Sequence, residues 1–186
     1  MTEIARTRAW VEQAVIGLNL CPFARSVQAR EQIRYVLTAA VDADGLLEAL
    51  SEELDLLAAA DPSALETTLL IHPHAMLDFL DYNDFLEAAD AAVEALGYTG
   101  ILQVASFHPM YQFEGTAADD VTNATNRSPF PTLHLLRESS IERAVQAFGD
   151  TDRIYRANVR TLQALGEPGW AEVQARIEAH PVPSQT

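Results

Sequence analysis

Apolar residues recur along the chain at two different spacings, and these spacings predict the order of its elements. Helical spacing, with capping and breaking residues around it, predicts helices at 3–20, 22–31, 46–60, 83–96, 139–148, 152–165 and 170–179. Short apolar or β-branched runs predict strands at 33–40, 67–72, 101–107 and 132–137. Strands that alternate with helices indicate an α/β fold, with α+β as the alternative. We expect a sandwich in which a mixed sheet of about four strands is flanked by helices. The direction of the fourth strand is left open.

The length of 186 residues predicts a single domain over residues 1–180, followed by a disordered tail at 181–186. The lone cysteine excludes an internal disulfide. The first residues form an amphipathic run, which is not typical of a signal peptide. No apolar stretch approaches the roughly 18 residues that a membrane helix needs. We therefore expect a soluble, cytoplasmic protein.

The negative charge of the chain limits the kinds of partner that it is expected to bind. The chain has 12 basic residues, all arginine, against 27 acidic residues, which gives a net charge of −15. Residues 35–126 hold 17 of the acidic residues and no basic residue. Such a surface repels phosphates, so we expect no nucleic acid and no membrane as partner. The absence of lysine also excludes Schiff-base chemistry and a phosphate-loop lysine.

Two predicted strands end in histidine. His72-Pro73-His74 follows the second strand, and His108-Pro109 follows the third. Open α/β sheets bind ligands at the carboxyl ends of parallel strands, and a histidine titrates near neutral pH. His108 is therefore the first candidate for acid–base catalysis. His72 and His74 have the spacing of a chelating pair, but no third ligand is near them in sequence, and His74 is more simply an exposed turn residue.

About twenty residues after His108 show no periodicity, which is typical of a functional or mobile loop. The end of this loop concentrates polar donors, and the strand after it carries two more candidates: Asn126, Arg127, Ser128, His134 and Arg137. Arginine binds carboxylate or phosphate as a planar fork, so the two arginines are candidate substrate anchors. His134 and Arg137 are three residues apart and would face opposite sides of an ideal strand. A structural ion pair between Arg137 and Glu138 is the alternative for that arginine.

Cys21 precedes Pro22 at the start of the predicted short helix. A helix dipole lowers the pKa of a thiol at that position, which would make Cys21 a nucleophile or a ligand. The Cys-Pro-Phe sequence is similar to a glutaredoxin motif, but Ala24 replaces the second cysteine, so thioredoxin-type chemistry is excluded. A buried apolar cysteine is the plain alternative.

Four segments resemble a bacterial family of unknown function, the DUF1415-type proteins: GLNLCPFA at 17–24, DYNDFL at 81–86, QVASFHP at 103–109, and TNRSP at 125–129 continued by LHLLRE at 133–138. The resemblance spans about residues 10–165. It implies no reaction and no cofactor. It does place the candidates above in the signature segments, apart from His72 and His74.

The leading hypothesis is a small-molecule enzyme that acts on a carboxylate or phosphate substrate. Arg127 and Arg137, helped by Asn126 and Ser128, would anchor the anion, and the catalytic residues would be His108, Cys21 and His134. This requires His108, Arg127 and His134 or Arg137 to face one cavity. One alternative is a metal- or haem-binding protein with histidine and cysteine ligands, although the scattered ligands predict no tightly bound zinc. Another is a non-catalytic acidic interaction module. Whether the protein is an enzyme, its cofactor and its oligomeric state stay open.

Overall fold

The computed structural model describes residues 1–148 and 151–179, so the predicted tail lies outside the described residues. The strands are β1 (Ile33–Leu37), β2 (Thr67–Ile71), β3 (Leu102–Phe107) and β4 (Thr132–Arg137). The helices are α1 (Glu3–Trp10), α2 (Ala24–Ala29), α3 (Ala43–Ala59), α4 (Phe79–Ala95), α5 (Glu138–Phe148) and α6 (Thr151–Ala179). A π-helical stretch, Val11–Ile16, continues α1, and a 3₁₀ turn, Val121–Thr125, interrupts the long loop.

Local chemistry explains where the helices begin and break. Asp78 caps α4 by accepting hydrogen bonds from the backbone N–H groups of Leu80 and Asp81, at 2.8 and 3.2 Å. For this reason α4 begins at Phe79, four residues before the predicted start. Gly166 breaks α6 with a φ of +67°, where glycine has no Cβ penalty. The predicted division between helices 152–165 and 170–179 corresponds to this kink.

The sheet has the order β1-β2-β4-β3. β1 and β2 are parallel, and β4 lies antiparallel between β2 and β3. β2 and β3 therefore run in the same direction, two positions apart, and their carboxyl ends share one edge of the sheet. We call this the histidine edge because His72 and His108 follow the two strands there.

Helices cover both faces of the sheet, and each face has its own core. On one face α3 and α4 pack against alternate strand residues, including Leu70, Leu133 and Leu135. On the other face α1 and α6 pack around Leu69. The four-stranded mixed sheet flanked by helices confirms the predicted fold class. Within residues 1–148 and 151–179, no helix has both the length and the apolarity to cross a membrane.

Candidate functional site

A stack of three rings occupies the histidine edge. The Tyr82 ring, carried by the first turns of α4, lies between the imidazoles of His72 and His108. Its centroid is 5.6 Å from that of His72 and 5.1 Å from that of His108, with interplanar angles of 27° and 29°. Strands two positions apart are separated by about 10 Å, and the tyrosine fills this gap. Its hydroxyl donates a hydrogen bond to the Thr132 carbonyl of the intervening β4, at 2.9 Å.

His72 is fully buried and keeps one ring nitrogen without a partner. Its Nδ1–H donates to the carbonyl oxygen of Ala75 at 3.0 Å, which fixes the neutral tautomer with a lone pair on Nε2. Nε2 is buried and has no hydrogen-bond partner. Burial, with a smaller contribution from the neighbouring His108, lowers the pKa of His72 from 6.5 to about 4. The edge therefore holds a neutral imidazole with a free acceptor at neutral pH.

His108 is buried as well, but both of its ring nitrogens are occupied. The backbone N–H of Met110 donates to Nδ1 at 3.1 Å, so Nε2–H donates to the Met76 carbonyl at 3.2 Å. Burial lowers the pKa of His108. Since His72 holds the carbonyl of Ala75 and His108 holds the next one, the two histidines fix the loop between β2 and α4. Met76 in that loop has a φ of +51°, a strained conformation for this residue.

The polar side chains at the end of the long loop form hydrogen bonds within the protein. Arg127 donates from Nε to the Tyr111 carbonyl at 3.0 Å and from Nη2 to the Ala118 carbonyl at 2.6 Å. Asn126 donates from Nδ2 to the Ser106 carbonyl, and Ser128 donates to the Phe130 carbonyl. These bonds fold the loop onto the end of β3.

Asn123, which the sequence analysis did not single out, is the buried centre of the same loop. Its Oδ1 accepts from the Phe113 N–H and the Thr116 hydroxyl, and its Nδ2 donates to the Ala117 carbonyl. The polar side chains of this segment are thus explained by the hydrogen bonds that they form within the loop, and these bonds fix the conformation of the loop.

The structure separates the other candidates from His108. His134 points to the opposite face of the sheet, where its Nε2–H donates to the Thr67 hydroxyl at 2.8 Å and its ring lies beside Phe107. Arg137 pairs with Leu102 at the far end of β3. Its guanidinium donates to the carbonyls that end α3 and follow it: those of Leu57, Ala60 and Leu65. His108 and Arg127 are close through the backbone, because the His108 N–H donates to the Asn126 carbonyl, but His134 and Arg137 do not join them.

The local structure of Cys21 differs from the expected one. α2 begins at Ala24, not at Pro22, and has only six residues. Hydrogen bonds from the backbone of Phe23 and Ala24 favour the thiolate, but burial dominates and raises the pKa of Cys21 above its ordinary value. The helix start therefore does not activate this half-buried thiol.

We expect native Cys21 to react with iodoacetamide at pH 8 at least roughly fivefold more slowly than in the urea-unfolded chain, because a raised pKa and burial both reduce accessible thiolate. Mass spectrometry of timed aliquots measures both rates on the same residue. A native rate equal to the unfolded rate, or above it, would contradict the buried role.

In the sequence, His72 is a candidate only as part of a weak chelating pair with His74. The structure pairs it with His108 instead and leaves His74 exposed. The available signal was the His-Pro dipeptide after two strands. Tyr82 had no such signal, because a tyrosine at a helix start is ordinary in sequence.

Two further features bear on binding. A cleft of about 450 Å³ opens at the opposite edge of the sheet, lined among others by Asp90, Glu94 and Glu138, with no histidine or cysteine. In the part of the chain that the structure describes, no three His, Cys, Asp or Glu residues lie together in a way that could hold a metal ion.

No curated protein and no solved structure matches the chain. A family model described as a protein of unknown function, DUF1415, matches residues 2–172, nearly the whole chain and all four signature segments. The chain therefore belongs to the DUF1415 family.

Proposed function

We propose that the protein is a small-molecule enzyme that performs acid–base chemistry at the histidine edge, with His72 as the base. The unpartnered Nε2 of His72 carries this proposal. Buried polar atoms are almost always hydrogen-bonded, and an orphan acceptor at a ligand-binding edge of a sheet is where a substrate proton would be received. The fixed tautomer, with Nδ1–H held by a carbonyl, is the arrangement of a general base.

His108 supports the site as a positioning residue. Its two ring nitrogens are satisfied by backbone groups, so proton transfer at this ring would first break one of those bonds. Its contacts instead hold the 73–78 loop and the start of the long loop on either side of the ring. This replaces the catalytic role that the sequence suggested for His108.

The contacts do not favour arginine as the substrate anchor. Arg127 and Arg137 each donate to backbone carbonyls, and Arg137 lies at the other end of the sheet. Binding a substrate anion through either guanidinium would cost existing hydrogen bonds. The metal-binding alternative loses its expected ligand set as well, since His134 and His108 lie on opposite faces of the sheet.

Substrate access requires the loop between β2 and α4 to move, because the side chain of His72 has no exposed surface. This loop is short, and its one positive-φ residue, Met76, stores strain that opening would release. Bonds to the two histidines keep the loop closed in the absence of substrate. When the loop opens, the hydrogen bond that orients the His72 ring changes too, so substrate binding at the histidine edge would be coupled to the orientation of the base.

The test combines histidine NMR with proton exchange. A library of small molecules that carry acidic C–H groups is incubated with the protein in D₂O, and ¹⁵N-histidine spectra identify the binders. We expect active compounds to shift the His72 ring signals and to leave those of His134 unchanged. His72→Asn, which keeps a donor near Nδ1 but removes Nε2, should lower the exchange rate by about 10²–10⁴-fold.

His74→Asn is the matched control, because His74 is two residues away and exposed. This variant should exchange protons at the same rate as the unsubstituted protein. Binders that shift only His134, or exchange that survives His72→Asn, would overturn the proposal.

A further inference from the structure

Large apolar side chains are exposed where two segments meet over His108. Leu77 lies in the loop before α4 and is 61% exposed, and Leu80 lies in the first turn of α4 and is 71% exposed. Met110 follows β3 and is 62% exposed. The His108 ring joins the two segments, since it bonds the Met76 carbonyl on one side and the Met110 N–H on the other. Exposed apolar residues that cluster beside a buried polar site are typical of a ligand entrance.

Aromatic rings continue this entrance. The Phe79 ring lies 5.5 Å from the ring of His108 and 5.1 Å from that of Tyr111, measured between centroids. Both residues are half-buried. Aromatic faces of this kind attract organic cations through their quadrupoles.

Acidic residues outnumber basic residues around the entrance, although Arg127 donates from Nε to the Tyr111 carbonyl. Every segment that forms it lies between residues 35 and 126, where no basic residue occurs. Asp78 is close enough to His108 to favour its protonated form, and Asp81 is exposed on the same turn of α4. The net negative charge of residues 35–126 favours the approach of cations over that of anions.

We infer that the histidine edge binds a small organic amine with an apolar body, as its protonated cation. The inference rests on the proposed function and names its substrate class. Leu77, Leu80 and Met110 would contact the hydrocarbon part. The rings of Phe79 and Tyr111 would face the charge as it enters, and with the loop open the ammonium would pass the Tyr82 ring to reach His72. The unpartnered Nε2 of His72 is an acceptor, so it needs a donor, which an ammonium N–H supplies and a carboxylate does not.

Three probes with the same phenyl body test the sign of the charge: phenethylamine, 2-phenylethanol and 3-phenylpropanoate. NMR titration at pH 7.5 should give the tightest binding for the amine, roughly tenfold tighter than for the carboxylate. The difference should shrink between 0.05 and 0.5 M NaCl because salt screens charges at an exposed entrance. Equal or tighter binding of the carboxylate would overturn the inference.

Variants test the location. Leu80→Ser should weaken amine binding at least threefold, and His72→Asn should weaken it as well. Ile101→Ser is the matched control: Ile101 is 51% exposed and precedes β3 at the opposite edge, so its substitution should leave binding unchanged. Amine-induced shifts confined to the acidic cleft around Gly100 and Gln103, or binding insensitive to Leu80→Ser, would overturn the inference.

The two proposals can fail separately. Amine binding at the edge, with no proton exchange in any bound compound, would contradict the proposed reaction and support the binding inference. Exchange that depends on His72 but occurs only with neutral or anionic compounds would support the reaction and contradict the amine.

Discussion

Acidification from pH 6.5 to pH 4 is expected to remove on the order of 3 kcal/mol of folding stability through His72 alone. In the unfolded chain this histidine takes up its proton near pH 6.5, whereas burial in the native state lowers its pKa to about 4. The unfolded state therefore binds more protons across this interval, so the free energy of unfolding falls as pH falls. Above about pH 7.5 both states are neutral, and the contribution is complete and constant.

Burial also lowers the pKa of His134 to about 4, on the other face of the sheet. The native state thus resists protonation at two histidines at once, and their effects have the same sign. Because natural domains have only about 5–15 kcal/mol of stability, we expect cooperative acid unfolding to begin well above the pKa of the carboxylates.

Urea unfolding monitored by circular dichroism at half-unit pH steps measures this dependence. His72→Asn should flatten the slope between pH 6.5 and 4, whereas His74→Asn, at an exposed position, should keep the parent slope. The comparison of slopes is insensitive to any uniform loss of stability in a variant. A parent slope that persists in His72→Asn would show that His72 titrates normally in the native state.

Sequence periodicity predicted the sheet well, because the strand signal is local. The fourth strand, 132–137, has the bounds that were predicted, and the other three differ only at their ends. The strand order could not be predicted in the same way, because no local pattern in 132–137 indicates that β4 inserts antiparallel between β2 and β3. That insertion sets the spacing of His72 and His108 and creates the gap that Tyr82 fills.

Candidate residues were predicted less well, because polar residue types alone do not distinguish ligand binding from backbone satisfaction. Arg127, Asn126 and Ser128 have the chemistry of an anion site, but their partners are carbonyls of the loop itself. Conversely, the property that distinguishes His72 is a missing partner, and a missing partner is visible only in three dimensions. The strand-end position of both histidines was the signal that sequence did contain.

Arg137 is another candidate anion anchor whose hydrogen-bond partners are backbone carbonyls. Its replacement is expected to cost about 3 kcal/mol of stability. The side chain is 6% exposed, and it donates to the carbonyls of Leu57 and Ala60 at the end of α3 and of Leu65 in the segment that follows. Arg137→Met keeps much of the apolar stem but removes the guanidinium donors from these carbonyls, so the melting temperature should fall by roughly 6–12 °C. Arg143→Met is the control: this side chain is 62% exposed and pairs with Glu66 at the surface, so its loss should cost less than about 1 kcal/mol. Differential scanning calorimetry of the two variants beside the parent measures the difference. Equal melting temperatures for both variants would show that Arg137 does not hold the end of α3, and would return it to the set of residues free to bind a ligand.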